Sequence, residues 1–274
     1  MKGIDNEFFL ETVPYFNLIE MAEACKETRS IGLCFGKPGA GKTAAAFRYS
    51  NWQNILKNFA VRNGVPVEPE ATQKADTLYY QPSITVSAPR LRSELNQLNN
   101  KFETVISSAV SWTNPEKWAE SIKRRPTKLI IVDEAYRLKY QALEELRDIH
   151  EACNVGVLLL ADPGFERGIG RMWHFCVRIA YVEEFQVFTP SEVNQYIDHK
   201  VKEMNLPKPK EEVYSLIFWY SQGNPRNLGN LFMMISRILK INSDVVQELS
   251  REVVETAREM MLRGLNKTLS QAAN

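Results

Sequence analysis

"FGKPGAGKTAAAFRYS", Phe35 to Ser50, crowds three glycines, one proline and two lysines into the eight residues from Gly36 to Thr43, then turns to alanine. An apolar run, SIGLCF (residues 30–35), precedes it, and the helix-forming TAAAFRY follows. Glycine reaches backbone angles closed to other residues, so such a cluster between two regular elements marks a special turn. The spacing of Gly36, Gly41, Lys42 and Thr43 fits G-x-x-x-x-G-K-[ST], in the strand-then-helix setting where successive N–H groups turn inward around a phosphate. The helix start adds free N–H donors and a partial positive charge. Gly36, Pro38, Gly39, Ala40, Gly41, Lys42, Thr43 and Ala44 are therefore the expected contacts for ATP. Lys42 would bridge its outer phosphates and Thr43 would ligate Mg2+.

A phosphate loop needs an acidic partner at the end of another buried strand. Leu129-Ile130-Ile131-Val132-Asp133-Glu134 has that form. Asp133 would hold Mg2+ through water, and Glu134 would polarise the attacking water, as in P-loop ATPases. Standing alone, the pair would read as a solvated turn after a strand. Beside the phosphate loop it reads as the catalytic half of a nucleotide hydrolase, with water as acceptor.

Outward from these two stretches the texture is α/β up to Phe188 and helical after it. Residues 1–28 read as a leader and a helix with Pro14 near its first turn; 29–188 read as the nucleotide-binding core. Within the core, TLYYQPSITVSA (77–88) is β-rich, VGVLLLADP (155–163) and CVRIAYVEEF (176–185) are further strands, and helices stand between them. That alternation predicts a parallel sheet flanked by helices. Thr189-Pro190-Ser191-Glu192 is a capping box that opens a small all-helical domain, 189–264, with helices near 190–204, 210–221, 225–240 and 243–263. Residues 265–274 read as a frayed tail.

The totals narrow the function classes. The chain has 274 residues, a net charge of +1 and 24% charged residues, an ordinary globular balance without a global basic signal for nucleic acid. No apolar run reaches the roughly 18 residues of a membrane span. The start carries one lysine and three acids, unlike a signal peptide, and four dispersed cysteines fit a reduced compartment. The expected location is the cytoplasm, without membrane contact.

The phosphate loop, the IIVDEA strand, VLLLADP and the helical GNPRNL together resemble an AAA+ ATPase. More finely, residues 11–43 and 131–163 resemble the transposition regulators of the TnsC and Mu B-protein type, and the likeness spans about residues 10–240. The resemblance implies a sensor residue after the third buried strand, usually Asn, Ser or Thr, where this chain has Asp162. A carboxylate there would repel a phosphate, so Asp162 is either an altered sensor or a helix cap. It implies an arginine finger acting on a neighbouring subunit. Arg167, Arg171 and Arg178 compete for that role, and Arg171, after the glycines of GIGRMWHF, is the expected one. It implies that Arg226 in Gly223-Asn224-Pro225-Arg226 reaches the nucleotide, although the same residues also make a turn and a helix cap.

The resemblance further implies a homo-oligomer, ring or helical filament, on double-stranded DNA, linking a target-selection protein to a transposase. DNA would be gripped after the second strand. Residues 88–128 hold eight Lys or Arg against four Glu, a local +4. Arg90 and Arg92 are the leading contacts, then Trp112, Thr113 and Lys117, while Lys123-Arg124-Arg125 is either a contact or a solvated face. No base-reading module is recognisable, so sequence preference should be slight. Phe218, Trp219 and Tyr220 are assigned to the core of the helical domain. Rival readings are a replication initiator or helicase loader, a secretion or signalling ATPase with a protein partner, and a scaffold that binds ATP without turning it over.

Overall fold

A computed structural model describes residues 8–61, 64–117, 126–242 and 248–272, with the side chains of Lys117 and of residues 263–272 outside that description. The chain divides into two compact units. The first runs through Phe185 apart from Pro38–Gly41, and the second runs from Gln186 and includes Pro38–Gly41.

The first unit is built on a parallel sheet of five strands among the described residues: β1 (Ile31–Phe35), β2 (Thr77–Tyr80), β3 (Leu129–Val132), β4 (Gly156–Ala161) and β5 (Ile179–Glu184), in the order β2-β3-β4-β1-β5. Strands β2, β3 and β4 are buried at every residue, and β1 at all but its last, which is why they read as continuous apolar runs. β5, at the sheet's edge, alternates half-buried and exposed residues instead. Helix α1 (Val13–Thr28) packs on β1, β4 and β5 through residues that include Leu18, Ala22 and Cys25. α2 (Lys42–Tyr49) follows the glycine loop, with α3 (Trp52–Phe59) and the short α4 (Pro69–Thr72) before β2. The long α5 (Ala88–Thr113) packs on β2 and on α6 (Tyr140–Cys153). Short α7 (Phe165–Ile169) and α8 (Trp173–Cys176) lead into β5.

Strand order decides where chemistry can sit. The chain leaves β1 for β2 at one edge of the sheet and later crosses from β4 past β1 to β5 at the other, so the direction of the connections reverses beside β1 and opens a crevice at its carboxyl end. The ladder registers Phe35 with Ala161 and Val132 with Leu159, so Gly36, Asp162 and Asp133 emerge along one rim.

Three details of the core differ from expectation. CVRIAYVEEF, expected as a strand over 176–185, is one only over Ile179–Glu184, because Cys176 still belongs to the preceding helical turn. The β-rich stretch 77–88 is a strand only to Tyr80. Pro82 has no N–H to extend a ladder, and Ile84 beyond it is 84% exposed. The helix expected after Asn114 begins as a single 3-10 turn, Pro115–Lys117, and the rest of PEKWAESIKRR, with Lys123-Arg124-Arg125, lies outside the described residues.

The second unit holds four helices among its described residues: α9 (Pro190–Glu203), α10 (Glu211–Ser221), α11 (Pro225–Ile241) and α12 (Arg251–Ala272). Thr189 accepts from the Glu192 N–H while Glu192 accepts from the Thr189 N–H, the reciprocal cap its sequence predicts. Ile197, Ile217, Leu228, Ile235 and Val254 meet in its core. Phe218 and Tyr220 pack against that core, but Trp219 does not join it and is 65% exposed. Three consecutive aromatics on a helix span too wide an arc to share one face. The last helix starts at Arg251, where Ser250 receives the Val253 N–H, and continues to Ala272 through residues expected as tail. Leu265 to Ala272 contains neither glycine nor proline, so nothing in it breaks a helix. No helix among the described residues is long and apolar enough to cross a membrane.

Candidate nucleotide site

The glycine turn begins where β1 ends. Gly36 donates to the Ala161 carbonyl at 3.1 Å, which ties the turn's start to β4. A side chain at Gly36 would place Cβ 2.3 Å from the Phe185 carbonyl, so no other residue fits there without moving backbone. Gly39 and Gly41 have φ of 81° and 114°, angles that glycine adopts without strain and that the turns of phosphate-binding loops use.

Lys42 opens α2 and is 8% exposed. Its ammonium donates to the carbonyls of Gly36 at 2.5 Å and Lys37 at 3.2 Å, and to Asp162 Oδ1 at 3.3 Å. Asp162 follows β4 directly, and its backbone carbonyl accepts from the Phe165 N–H. The carboxylate of Asp162 faces Lys42, and the cap-like side-chain bond at this turn is made by Glu166 to the Gly164 N–H at 2.7 Å.

Thr43 and Asp133 meet across the rim. Thr43 Oγ1 donates to Asp133 Oδ2 at 2.7 Å, and Tyr79 of β2 donates to the same oxygen at 2.6 Å. Asp133 Oδ1 accepts from the Glu134 N–H at 2.9 Å. A carboxylate that is 2% exposed is thus held by three donors, as a buried charge must be. Burial and the adjoining Asp133 carboxylate push the Tyr79 phenol far up, so it remains a donor. A hydroxyl and a carboxylate so close together form the hard oxygen pair that suits Mg2+.

Glu134 sits at φ 54°, an uncommon angle for a side-chain-bearing residue. That angle starts the 3-10 turn Ala135–Arg137 and turns the Glu134 carboxylate toward it. Glu134 Oε2 accepts from the Tyr136 hydroxyl and from Arg137 at 3.4 Å. Arg137 also donates to the Pro82 carbonyl at 3.0 Å, joining the turn to the loop after β2. The hydrogen bond to Glu134 raises the Tyr136 phenol above its ordinary range.

The three arginines before β5 differ in what they touch. Arg167 lies 3.6 Å from Glu166, and Arg178 is bonded to Glu151 at 2.7 Å and to the His174 carbonyl. Arg171 is exposed in the turn between α7 and α8 and makes no ion pair among the described residues. Within the second unit, Asn224 caps α11 by accepting from the Arg226 and Asn227 N–H groups. Asn224 Nδ2 also donates to the Pro38 carbonyl at 2.9 Å, and the Arg226 N–H to the Gly39 carbonyl at 3.3 Å. The Arg226 side chain is exposed.

The expected DNA contacts fall on α5 and its ends. Arg90 and Arg92 stand in its first turns, Arg90 bonded to Glu94 at 2.7 Å and Arg92 to Glu145 of α6. Trp112, 57% exposed, and Thr113, which donates to Gln73 at 2.7 Å, lie in its last turn. Lys117 ends the 3-10 turn beyond.

Tyr79, Tyr136 and Arg137 were absent from the residues singled out in the sequence. For Tyr79 the sequence carried half of the signal, and the strand register supplies the rest. A tyrosine in a buried strand needs a partner for its hydroxyl, and Tyr79 registers with Ile131, two residues before Asp133 and on the same side of β3.

Comparison with known proteins accords with this geometry. A family model described as an AAA domain matches residues 25–169. A "Potential ATP-binding protein" of Staphylococcus aureus is 30% identical over 274 residues, covering 95% of this chain and 98% of the relative. Among solved structures, the RuvB Holliday junction branch migration motor of Thermotoga maritima matches with a TM-score of 0.59 at 15% identity, covering 92% of this chain and 70% of that one. The Aeropyrum pernix ORC2 protein in its ADP form matches with a TM-score of 0.60 at 13% identity, covering 94% and 70%. At these identities the two structures speak for the fold alone.

Proposed function

Because this chain belongs to the AAA domain family and binds ATP, we propose that it is an ATPase that assembles on double-stranded DNA and regulates transposition. On this reading ATP binding promotes a homo-oligomer, ring or helical filament, that links a target-selection protein to the transposase. Hydrolysis releases it. The observation that carries the reading is the meeting of Thr43 and Asp133 beside Lys42 and Glu134 at the rim where β1, β3 and β4 end.

Each residue has a separable task. The turn from Gly36 to Gly41 and the start of α2 receive phosphate oxygens. Lys42 supplies a cation, and its place beside Asp162 makes that acid a competitor for the ammonium. Thr43 and Asp133 would hold Mg2+, which, when bound, supplies positive charge to the phosphates. Glu134 orients and deprotonates water once free of Tyr136 and Arg137. Arg171 serves a neighbouring subunit, a role its exposure supports. Arg226 approaches the nucleotide from the start of α11.

The transposition assignment rests on the resemblance over residues 11–43 and 131–163 to TnsC and Mu B-type regulators, and the DNA assignment on the +4 stretch 88–128. The stretch Ser243 to Asn274 is the proposed contact for a protein partner. The test is sedimentation and ATPase rate with and without duplex DNA, at two salt concentrations. Co-sedimentation that requires ATP and weakens with salt is expected. Absence of any DNA response at low salt would overturn the DNA-binding reading. Wild-type filaments from Lys42→Ala would show that ATP does not control assembly.

A further inference from the structure

We infer that Tyr79 is a positioning residue for the site, holding the Asp133 carboxylate in the orientation that Mg2+ binding needs. The inference rests on the ATPase reading above. Asp133 Oδ2 takes two donors, Thr43 and Tyr79, at 2.7 and 2.6 Å. They differ in kind. The Thr43 hydroxyl belongs to the phosphate loop and is itself an expected metal ligand, so its bond to Asp133 is tied to the occupancy of the site. The Tyr79 phenol comes from β2, outside the loop, and Asp133 is its one hydrogen-bond partner among the described residues.

Its ring is fixed independently. Phe47 of α2 meets it edge-on, with centroids 4.5 Å apart, and Trp52 lies at 5.9 Å. Tyr79 is 4% exposed, so water does not substitute readily for its hydroxyl. Phe47 shares α2 with Lys42 and Thr43. One tyrosine therefore touches both the helix that presents the phosphate loop and the acid that faces it. Partners of this kind, bonded to a metal-binding group and not to the metal, typically change metal affinity about 10- to 100-fold when removed.

The test uses the full chain and Tyr79→Phe, which keeps the ring and deletes one hydroxyl. Binding of a fluorescent ATP analogue is measured first in EDTA and then across a Mg2+ titration. The EDTA affinity should stay within about twofold of wild type, while the Mg2+ concentration at half-effect rises about tenfold. An unmoved Mg2+ midpoint overturns the inference, as does an equal loss in both conditions, which would mark a general packing defect. Phe47→Leu is the comparator: it loosens the ring contact and keeps the phenol. Its Mg2+ midpoint should rise by less than that of Tyr79→Phe, because the phenol remains and Trp52 still holds the ring, and a shift matching that of Tyr79→Phe would also overturn the inference. Wild-type binding that ignores Mg2+ altogether is a different failure, and it removes the ATPase reading itself.

Discussion

Lys42 Nζ stands 3.3 Å from Asp162 Oδ1, an ion pair between residues 120 positions apart. The carboxylate competes for the cation that phosphate oxygens would use. Neutralising it should strengthen nucleotide binding. Asp162→Asn is expected to tighten ATP about three- to tenfold, up to about 1.4 kcal/mol, by fluorescence titration. Weaker binding in that variant would mean that Asp162 orients Lys42 and does not compete for it.

Glu134 is engaged by Tyr136 and Arg137, and an engaged carboxylate is a poor base. Removing both donors with Tyr136→Phe and Arg137→Gln should raise basal hydrolysis roughly two- to tenfold. Glu134→Gln should lower it by about 100-fold or more and leave binding intact. Steady-state phosphate release measures both. A fall in rate for the double variant would show that these donors orient Glu134 productively.

Gly36 and Gly168 make a contrasting pair. A methyl at Gly36 collides with the Phe185 carbonyl, while one at Gly168 meets nothing within 4 Å. Gly36→Ala should cost roughly 1–3 kcal/mol of stability, and Gly168→Ala, in α7, should be neutral or gain up to about 1 kcal/mol. Thermal unfolding of the two proteins, with wild type beside them, checks the order.

Arg90 and Arg92 already have carboxylate partners in Glu94 and Glu145. Contact with DNA would exchange these exposed pairs for phosphates. Arg90→Gln and Arg92→Gln should each reduce the slope of log affinity against log salt by about 1, without altering sequence preference. Filter binding at several salt concentrations tests this, and unchanged slopes would move the interface away from α5.

Features set by contiguous residues were legible in the sequence. The helix starts at Lys42 and Pro190 follow from chemistry within four or five neighbours, and the buried strands follow from unbroken apolar runs. What depends on strand order was not. Nothing local says that β1 lies between β4 and β5, so the pairing of Lys42 with Asp162 stayed hidden, and Asp162 alone read as two different things. Tyr79 and Asp133 are separated by 54 positions, and only the β2–β3 register brings them together. The short β2 and the exposed Trp219 were misread because composition suggests strand or core without saying where a proline cuts or which way a helix faces.

The place of β1 between β4 and the edge strand β5 also limits how the chain can be shortened. β5, residues 179–184, supplies one of the two ladders that cover β1, and it lies beyond the family match that ends at residue 169. A fragment cut at that boundary would keep the glycine turn and both acids but would bare one side of Ile31–Phe35. An apolar strand with unpaired N–H and C=O groups recruits other strands. Such a fragment should self-associate through β1 in size-exclusion chromatography, whereas one extended past Phe185 should not.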